Sequence, residues 1–152
     1  MQKIILILLL ICFSSISYSQ AADEYFRTLR NDKVNLRQGP SFEYPIKIIY
    51  KKKFLPLLVQ DSSDNFRKVR DHENNTGWIH ISQLSKKKAA IVISDNEIMF
   101  KSSTIFSNPV AILKEGRFVK ISKCKESWCK VETNNYKGWI KRDSLWLSLI
   151  HI

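Results

Sequence analysis

Aromatic and basic side chains in the first half of the chain could together bind an anionic ligand. Phe42 and Tyr44 follow a turn, and Tyr50 and Phe66 stand in strand-like stretches. Aromatic rings give a large contact area at a small cost in conformational entropy, and an arginine can hold a carboxylate through two hydrogen bonds. The predicted ligand-binding residues are Arg37, Phe42, Tyr44, Tyr50, Phe66 and Trp78, with Lys51, Lys52 and Lys53 as further partners for an anion.

Trp78 admits two interpretations. It alternates with its strand neighbours, as a residue of a packed core does, and Trp139 has the same surroundings. Core packing is therefore the first interpretation of both tryptophans, and contact with a ligand is the second for Trp78. Phe42 and Tyr44 are the better ligand candidates because they follow a turn.

Motifs of catalysis are absent from the sequence. There is no Gly-x-Ser-x-Gly, no glycine-rich phosphate loop and no His-Glu-x-x-His. His72 and His80 stand alone beside turns, whereas zinc needs several converging ligands, so we expect them to be solvated or to form hydrogen bonds. Asp61 and Asp64 lie in one turn and are typical of turn formation. We predict no catalytic residue, no metal site and no cofactor.

Cys124 and Cys129 are the cysteines of the second half of the chain. An even pair of cysteines in an exported protein favours a disulfide. The residues between them can form a turn that joins two strands. A free catalytic thiol is the alternative, but it needs a nearby base, and the second half has no histidine except His151 in the tail. We predict a disulfide that joins the two strands of a hairpin.

The N-terminal segment has the order of a secretory signal peptide. Lys3 precedes an apolar run from Ile4 to Phe13, and a polar stretch of small residues follows. An uncleaved anchor is one alternative, but the run is shorter than the roughly 20 residues that span a bilayer. A lipoprotein acylated at Cys12 is another, although Ile11 before it is bulky. We expect a cleaved signal peptide at 1–20 and an exported, periplasmic chain without a transmembrane segment.

The chain is strongly basic, with 25 Lys and Arg against 14 Asp and Glu and a net charge of +11. Nucleic acid is the usual partner for such a charge, but export would separate the chain from it. Peptidoglycan carboxylates and lipid phosphates are anionic groups of the envelope surface that remain as partners. A charge that serves solubility alone is an equal alternative.

One unit is present twice. Thr76–Ile79 returns as Lys137–Ile140, and Phe66–Val69 upstream of the first copy returns as Trp128–Val131 upstream of the second. Short strand-like stretches alternate with polar turns, and no helical period is present. We predict an all-β fold of two tandem small barrels after the signal peptide, with the first domain at 25–88, the second at 89–147 and a tail at 148–152.

Three finer predictions concern the ends of these units. Val34–Arg37 is matched to Ile98–Lys101 as the opening strand of each copy. Pro56 lies inside an apolar run and indicates an edge strand or a bulge. Ala89–Ile93 is a strand that could cross between the barrels, and the apolar tail Leu145–Ile150 is expected to pack on the second barrel.

The chain resembles the bacterial SH3-like family, in particular exported proteins with two such domains that are common in alphaproteobacteria. Val34–Ser41 is close to the opening V-N-L-R-x-G-P-[GS] of that family, and Gly77–His80 follows at its spacing. Cys124, Trp128–Val131 and the second Gly-Trp-Ile also fit its pattern. The opening of the second unit departs from it, because it lacks the Arg-x-Gly-Pro turn.

This resemblance implies small, strongly bent SH3-like β-barrels that bind cell-wall peptides or protein segments without catalysis. Our first hypothesis is therefore a non-catalytic exported module that recognises a peptidoglycan peptide through the first repeat. The second is a protein that docks on another envelope protein, for example through an exposed sheet edge. An enzyme is the third and least favoured hypothesis.

Overall fold

Two antiparallel sheets make up the protein, which we describe for residues 23–146 from a computed structural model. The predicted signal peptide at 1–20 and the tail at 148–152 lie outside the described residues. The strands of the first sheet are β1 Tyr25–Leu29, β2 Val34–Arg37, β3 Ile46–Tyr50, β4 Pro56–Ser63, β5 Phe66–Arg70, β6 Thr76–His80 and β7 Leu84–Ser85.

The second sheet repeats the first. Its strands are β8 Ala89–Val92, β9 Glu97–Phe100, β10 Pro109–Leu113, β11 Phe118–Lys125, β12 Trp128–Thr133, β13 Tyr136–Lys141 and β14 Leu145–Trp146. The strand orders are β3-β2-β6-β5-β4-β1-β7 and β10-β9-β13-β12-β11-β8-β14, so every strand has its counterpart at the same place. Short 3-10 helices at Ile81–Gln83 and Arg142–Ser144 follow the Gly-Trp-Ile strands. The prediction of an all-β fold with two tandem barrels is confirmed.

Alternating burial along each strand separates the barrel interior from its surface. In β2, Val34 and Leu36 are buried while Asn35 and Arg37 are partly exposed, as a period of two residues requires. Burial of such apolar side chains is the main stabilising contribution to folding. Fully buried members of the first core include Leu29, Leu36, Leu57, Val69 and Ile79, and those of the second include Val92, Met99, Val131 and Ile140.

The glycine of each Gly-Trp-Ile segment lets two strands approach closely. A Cβ at Gly77 would lie 2.6 Å from Cγ of Leu36, and one at Gly138 would lie 2.4 Å from Cγ of Met99. Leu36 and Met99 are therefore equivalent, and the predicted match of Val34–Arg37 with Ile98–Lys101 is wrong by one residue. A shift of one residue exchanges the two faces of a strand. The sequence pattern did not reveal this shift because Ile98 is apolar although it faces outward.

Pro56 is the first residue of β4, which lies inside the sheet between β5 and β1. It pairs with Thr28 of β1, and the irregularity of the β4–β5 ladder falls between Val59 and Asp61. The prediction of an edge strand or a bulge at Pro56 is therefore wrong. The first position of a strand accepts proline, because the missing N–H need not contribute to the ladder.

Strand β8 contributes side chains to both barrels. Ala90 and Val92 are buried in the second core, whereas Ile91 belongs to the first core. Leu145 packs in the second core as predicted, but Trp146 packs against the first, with its ring edge-on to Phe26 at 4.9 Å. For Trp146, then, the prediction of packing on the second barrel is wrong, and the two barrels share a packed junction.

The predicted disulfide between Cys124 and Cys129 is present and joins β11 to β12. The two cysteines are directly opposite each other in the hairpin, and Glu126 in its turn has a φ of 52°. Among residues 23–146, no helix has both the length and the apolar composition that crossing a membrane requires.

Candidate functional site

The loop from Gln38 to Pro45 carries the first of the predicted ligand residues, and its own hydrogen bonds hold it in shape. The N–H of Gln38 donates to the carbonyl of Pro45 at 3.0 Å. Arg37 Nη1 donates to the carbonyls of Phe42 at 3.0 Å and of Tyr44 at 2.8 Å. The guanidinium thus fixes the backbone of the loop, while its Nε and Nη2 make no hydrogen bond within residues 23–146.

Tyr44 closes the base of this loop. Its ring lies against Gly39, where an added Cβ would come within 2.5 Å of the ring carbons. Only a glycine leaves room for that contact. Tyr44 therefore shapes the loop with one side of its ring, although about half of its surface is exposed.

Three rings from separate parts of the first barrel form a cluster. Phe42 lies 5.1 Å from Phe66 and 5.2 Å from His80, measured between ring centroids. Phe66 and His80 are directly paired residues of β5 and β6, and their rings meet at 5.2 Å. His80 is held by Ser82, whose Oγ lies 2.8 Å from His80 Nδ1. Phe66 is buried beneath the other two rings, whereas Phe42 is 62% exposed.

A cleft of about 200 Å³ opens beside this cluster, and we call it the aromatic cleft. Arg37 and Lys33 supply its positive charge, and no carboxylate lines it. The Oδ1 atom of Asn35 is buried in its wall without a hydrogen-bond partner among residues 23–146. The lining residues are Lys33, Val34, Asn35, Arg37, Phe42, Phe66, His80 and Gln83.

Trp78 lies on the same outer face of β6 as His80, two residues away. Gly77 and Ile79 point into the core, so Trp78 is only partly buried and its interpretation as a core residue is wrong. It is paired with Arg37 on one side and Lys68 on the other. Together with Lys47, which donates to the carbonyl of Thr76 at 2.8 Å, it borders a neighbouring depression.

Tyr50 does not reach the aromatic cleft. Its hydroxyl donates to Oδ2 of Asp71 at 2.9 Å, and its ring packs against the first core. Asp71 is only 2% exposed and also accepts hydrogen bonds from Asn75. The pKa of Tyr50 is raised mainly by burial and, to a smaller extent, by the hydrogen bond to this carboxylate. These contacts give Tyr50 a place in the core of the first barrel.

The sequence prediction missed His80 and Asn35 as cleft residues. The signal for His80 was available, because the alternation that buries Gly77 and Ile79 puts it on the face of Trp78. Lys51, Lys52 and Lys53 were expected beside the ligand, but none of them lines the aromatic cleft.

The second barrel keeps the frame of this loop but changes its side chains. Lys101 N–H donates to the carbonyl of Asn108 at 2.9 Å, as Gln38 does to Pro45, although the second loop lacks the Arg-x-Gly-Pro turn. Phe100 pairs with Trp139 as Arg37 pairs with Trp78. The second barrel therefore has other side chains at the equivalent positions. Phe100 replaces Arg37, Ile105 replaces Phe42, Trp128 replaces Phe66 and Lys141 replaces His80.

A family model described as bacterial SH3 domain matches residues 30–86 and 104–146. The chain belongs to this family. The resemblance to the bacterial SH3-like family is thereby confirmed. A search of curated proteins found no significant match to this chain.

Several solved structures are similar to this bacterial SH3 protein. NlpC2 from Trichomonas vaginalis has 12% identity and a TM-score of 0.37, with 81% of this chain and 48% of the other covered. NlpC1 from Trichomonas vaginalis has 14% identity and a TM-score of 0.36, with coverages of 88% and 50%. An NlpC/P60 family protein from Bacillus cereus ATCC 10987 has 10% identity and a TM-score of 0.37, with coverages of 80% and 55%. The chain spans about half the length of these structures.

The described residues hold no arrangement of three or more histidine, cysteine, aspartate or glutamate side chains that could bind a metal ion. His80 is engaged with Ser82 and with the rings of Phe42 and Phe66. The aromatic cleft offers a stacking surface, two cationic side chains and hydrogen-bonding groups.

Proposed function

We propose that this protein is a non-catalytic, exported binding module whose first barrel recognises peptidoglycan peptide in the periplasm. The observation that carries the proposal is the aromatic cleft, where an exposed Phe42 stands over Phe66 and His80 beside two cations. Membership of the bacterial SH3 domain family supports a binding role.

The lining of the aromatic cleft suits a peptide that carries a free carboxylate. Arg37 Nη2 and Lys33 can meet the carboxylate, and the absence of acidic lining residues avoids repulsion. A charge-assisted hydrogen bond of this kind contributes about 1.5–3 kcal/mol. The ring of Phe42 offers apolar surface to the aliphatic part of the same ligand.

The decisive experiment is sedimentation with purified peptidoglycan sacculi at low salt and at about 0.15 M salt, where the Debye length is about 8 Å. We expect binding to persist at the higher salt and Phe42→Ala to weaken it about tenfold, as loss of about 1.4 kcal/mol would. Phe42 is preferred to Arg37 for substitution because Arg37 also holds the loop backbone.

Ile105→Ala is the matched control. Ile105 occupies the equivalent place in the second loop and is similarly exposed, at 56% against 62% for Phe42. Its substitution should leave sacculus binding unchanged. Loss of wild-type binding at the higher salt, or equal weakening by both substitutions, would overturn the proposal, as would release of soluble cell-wall fragments by the protein.

A second candidate function is docking on another envelope protein, and the edge of the first sheet favours it. β3 is the terminal strand of its sheet and exposes Ile46 and Ile49. An unpaired strand edge with apolar side chains can accept a strand from a partner. Replacing Ile49 with lysine would abolish such docking and leave sacculus binding intact, which separates the two candidates.

A further inference from the structure

A second cleft lies where the two barrels meet, on a side of the molecule that the aromatic cleft does not reach. It consists of two adjoining cavities of about 170 and 390 Å³, which share Phe118, Thr133 and Asn134 in their walls. We call it the junction cleft. The side chains of both barrels contribute to it, so it exists only when the barrels are packed together.

Lysines from three separate segments converge on two rings of the junction cleft. The Nζ atoms of Lys53, Lys87 and Lys120 lie 5.5, 5.3 and 5.4 Å from the ring centroid of Phe54. Lys52 Nζ lies 3.7 Å from the ring centroid of Phe118. Contact with an aromatic face attracts an ammonium group and holds it at a defined place.

These lysines have no acidic partner within residues 23–146. The ion pairs described there join Lys114 to Asp95 and Lys137 to Glu132, so the carboxylate of Glu132 in the cleft wall is already engaged. Glu115 is the other acidic residue of the wall, which Arg117 and Lys52 also line. Cations that surround one ring repel each other, and a bound anion would remove that repulsion.

Thr133 adds a hydroxyl group to the wall of the junction cleft. It is 8% exposed, lines both cavities and makes no side-chain hydrogen bond within the described residues. Its Oγ1 atom is not fully buried, so the hydroxyl is accessible to solvent or to a ligand in the cleft.

We propose that the junction cleft binds a phosphate group of a multiply charged ligand. A carboxylate would neutralise a single lysine, whereas a phosphomonoester or pyrophosphate presents several acceptor oxygens and more than one negative charge. Lysine ammonium groups bind phosphate as point charges, and the Thr133 hydroxyl can donate to a further oxygen. This site goes beyond the peptide recognition proposed for the first barrel and does not depend on it.

Inorganic pyrophosphate is the probe, and amide chemical shifts measured by NMR at constant ionic strength are the readout. We expect saturable shifts confined to the neighbourhood of Phe54, Phe118 and Asn134. Lys120→Gln should raise the Kd about tenfold, which corresponds to the loss of one charge-assisted contact.

Lys123→Gln is the matched control. Lys123 lies on the same strand and also faces a ring, that of Trp139 at 5.7 Å, but it is outside the junction cleft. Its substitution should leave the Kd unchanged. The proposal is overturned if both variants weaken binding equally, if shifts spread over lysines of the whole surface, or if chloride produces the same response.

The source of the phosphate is distinguished by vesicles of phosphatidylcholine with and without phosphatidic acid. Cosedimentation that requires phosphatidic acid and is lost in Lys120→Gln assigns the cleft to a lipid headgroup. Pyrophosphate binding without cosedimentation assigns it to a soluble or glycan-linked phosphate. Phe42→Ala should retain pyrophosphate binding in either case, so that failure of the cell-wall proposal would not affect this one.

Discussion

At the scale of single residues, some polar side chains of the first barrel stabilise the fold, and others keep hydrogen-bond donors available for a ligand. Arg37 does both, since Nη1 holds the loop carbonyls while its other nitrogens stay free of hydrogen bonds within residues 23–146. Tyr50 serves the fold alone through Asp71. The sequence could not separate these roles, because each depends on a partner distant in the chain.

Tyr50 leads to a prediction about alkaline pH. Its pKa is raised by burial and by the Asp71 carboxylate, so the folded state retains the phenol proton that the unfolded chain loses near pH 10. The contribution to stability is complete below about pH 10 and declines as pH rises further. We expect the wild-type Tm to fall more steeply between about pH 10 and 12 than that of Tyr50→Phe.

Tyr136→Phe is the control for that measurement, because Tyr136 is half exposed and forms no hydrogen bond through its hydroxyl within residues 23–146. Its Tm should follow the wild-type curve. Parallel curves for the wild type and Tyr50→Phe would contradict a pKa of Tyr50 that is raised by burial and by Asp71.

At the scale of elements, the hairpin β11–β12 is fixed twice, by its ladder and by the disulfide. Cys124 and Cys129 are opposite residues, and Glu126 takes the positive φ that a tight turn needs. The corresponding hairpin β4–β5 of the first barrel has Asp64 with a φ of 44° at its turn and no cysteines. The corresponding turn of the first barrel therefore forms without a disulfide.

Reduction of the disulfide should lower the free energy of unfolding by about 2 kcal/mol, because the loop that it closes is short. Urea denaturation with and without dithiothreitol measures this difference. Reduction is preferable to substitution because Cys129 is fully buried and a serine there would add a desolvation cost. Complete unfolding on reduction would contradict this small contribution of the disulfide to stability.

At the scale of the whole molecule, the barrels are joined by a shared core. Ile91 belongs to a strand of the second sheet but is buried with Leu29, Leu57 and Val59 of the first. Phe118 and Trp146 of the second barrel pack against the same cluster. Because both barrels bury side chains at one junction, we expect them to unfold together.

Ile91→Ala should destabilise the protein by about 3 kcal/mol, since it leaves a cavity in the first core. Hydrogen exchange should show the loss of amide protection beginning in β1 and β4, although the substitution lies in the second sheet. Val92→Ala, the adjacent residue on the opposite face, should reduce protection first in β9 and β13. Identical exchange patterns for the two variants would contradict the assignment of the two faces of β8 to different cores.

Much of the architecture was predictable from the sequence, because its signals are local. Alternating apolar residues, polar turns and the repeated Gly-Trp-Ile identify short strands and a duplicated all-β unit, and the spacing of Cys124 and Cys129 indicates a hairpin bridge. The register of β9 was not predictable in this way. Both faces of that strand carry apolar residues, so the pattern did not say which one is buried.

The sequence by itself determined the strand pattern, the duplication and the basic charge of this protein. Tertiary structure alone decided that His80 lies under Phe42, that Ile91 completes the first core and that Lys53, Lys87 and Lys120 surround one ring. These groups are distant in the chain. Their proximity depends on strand order, register and the packing of one barrel on the other, which local composition does not encode.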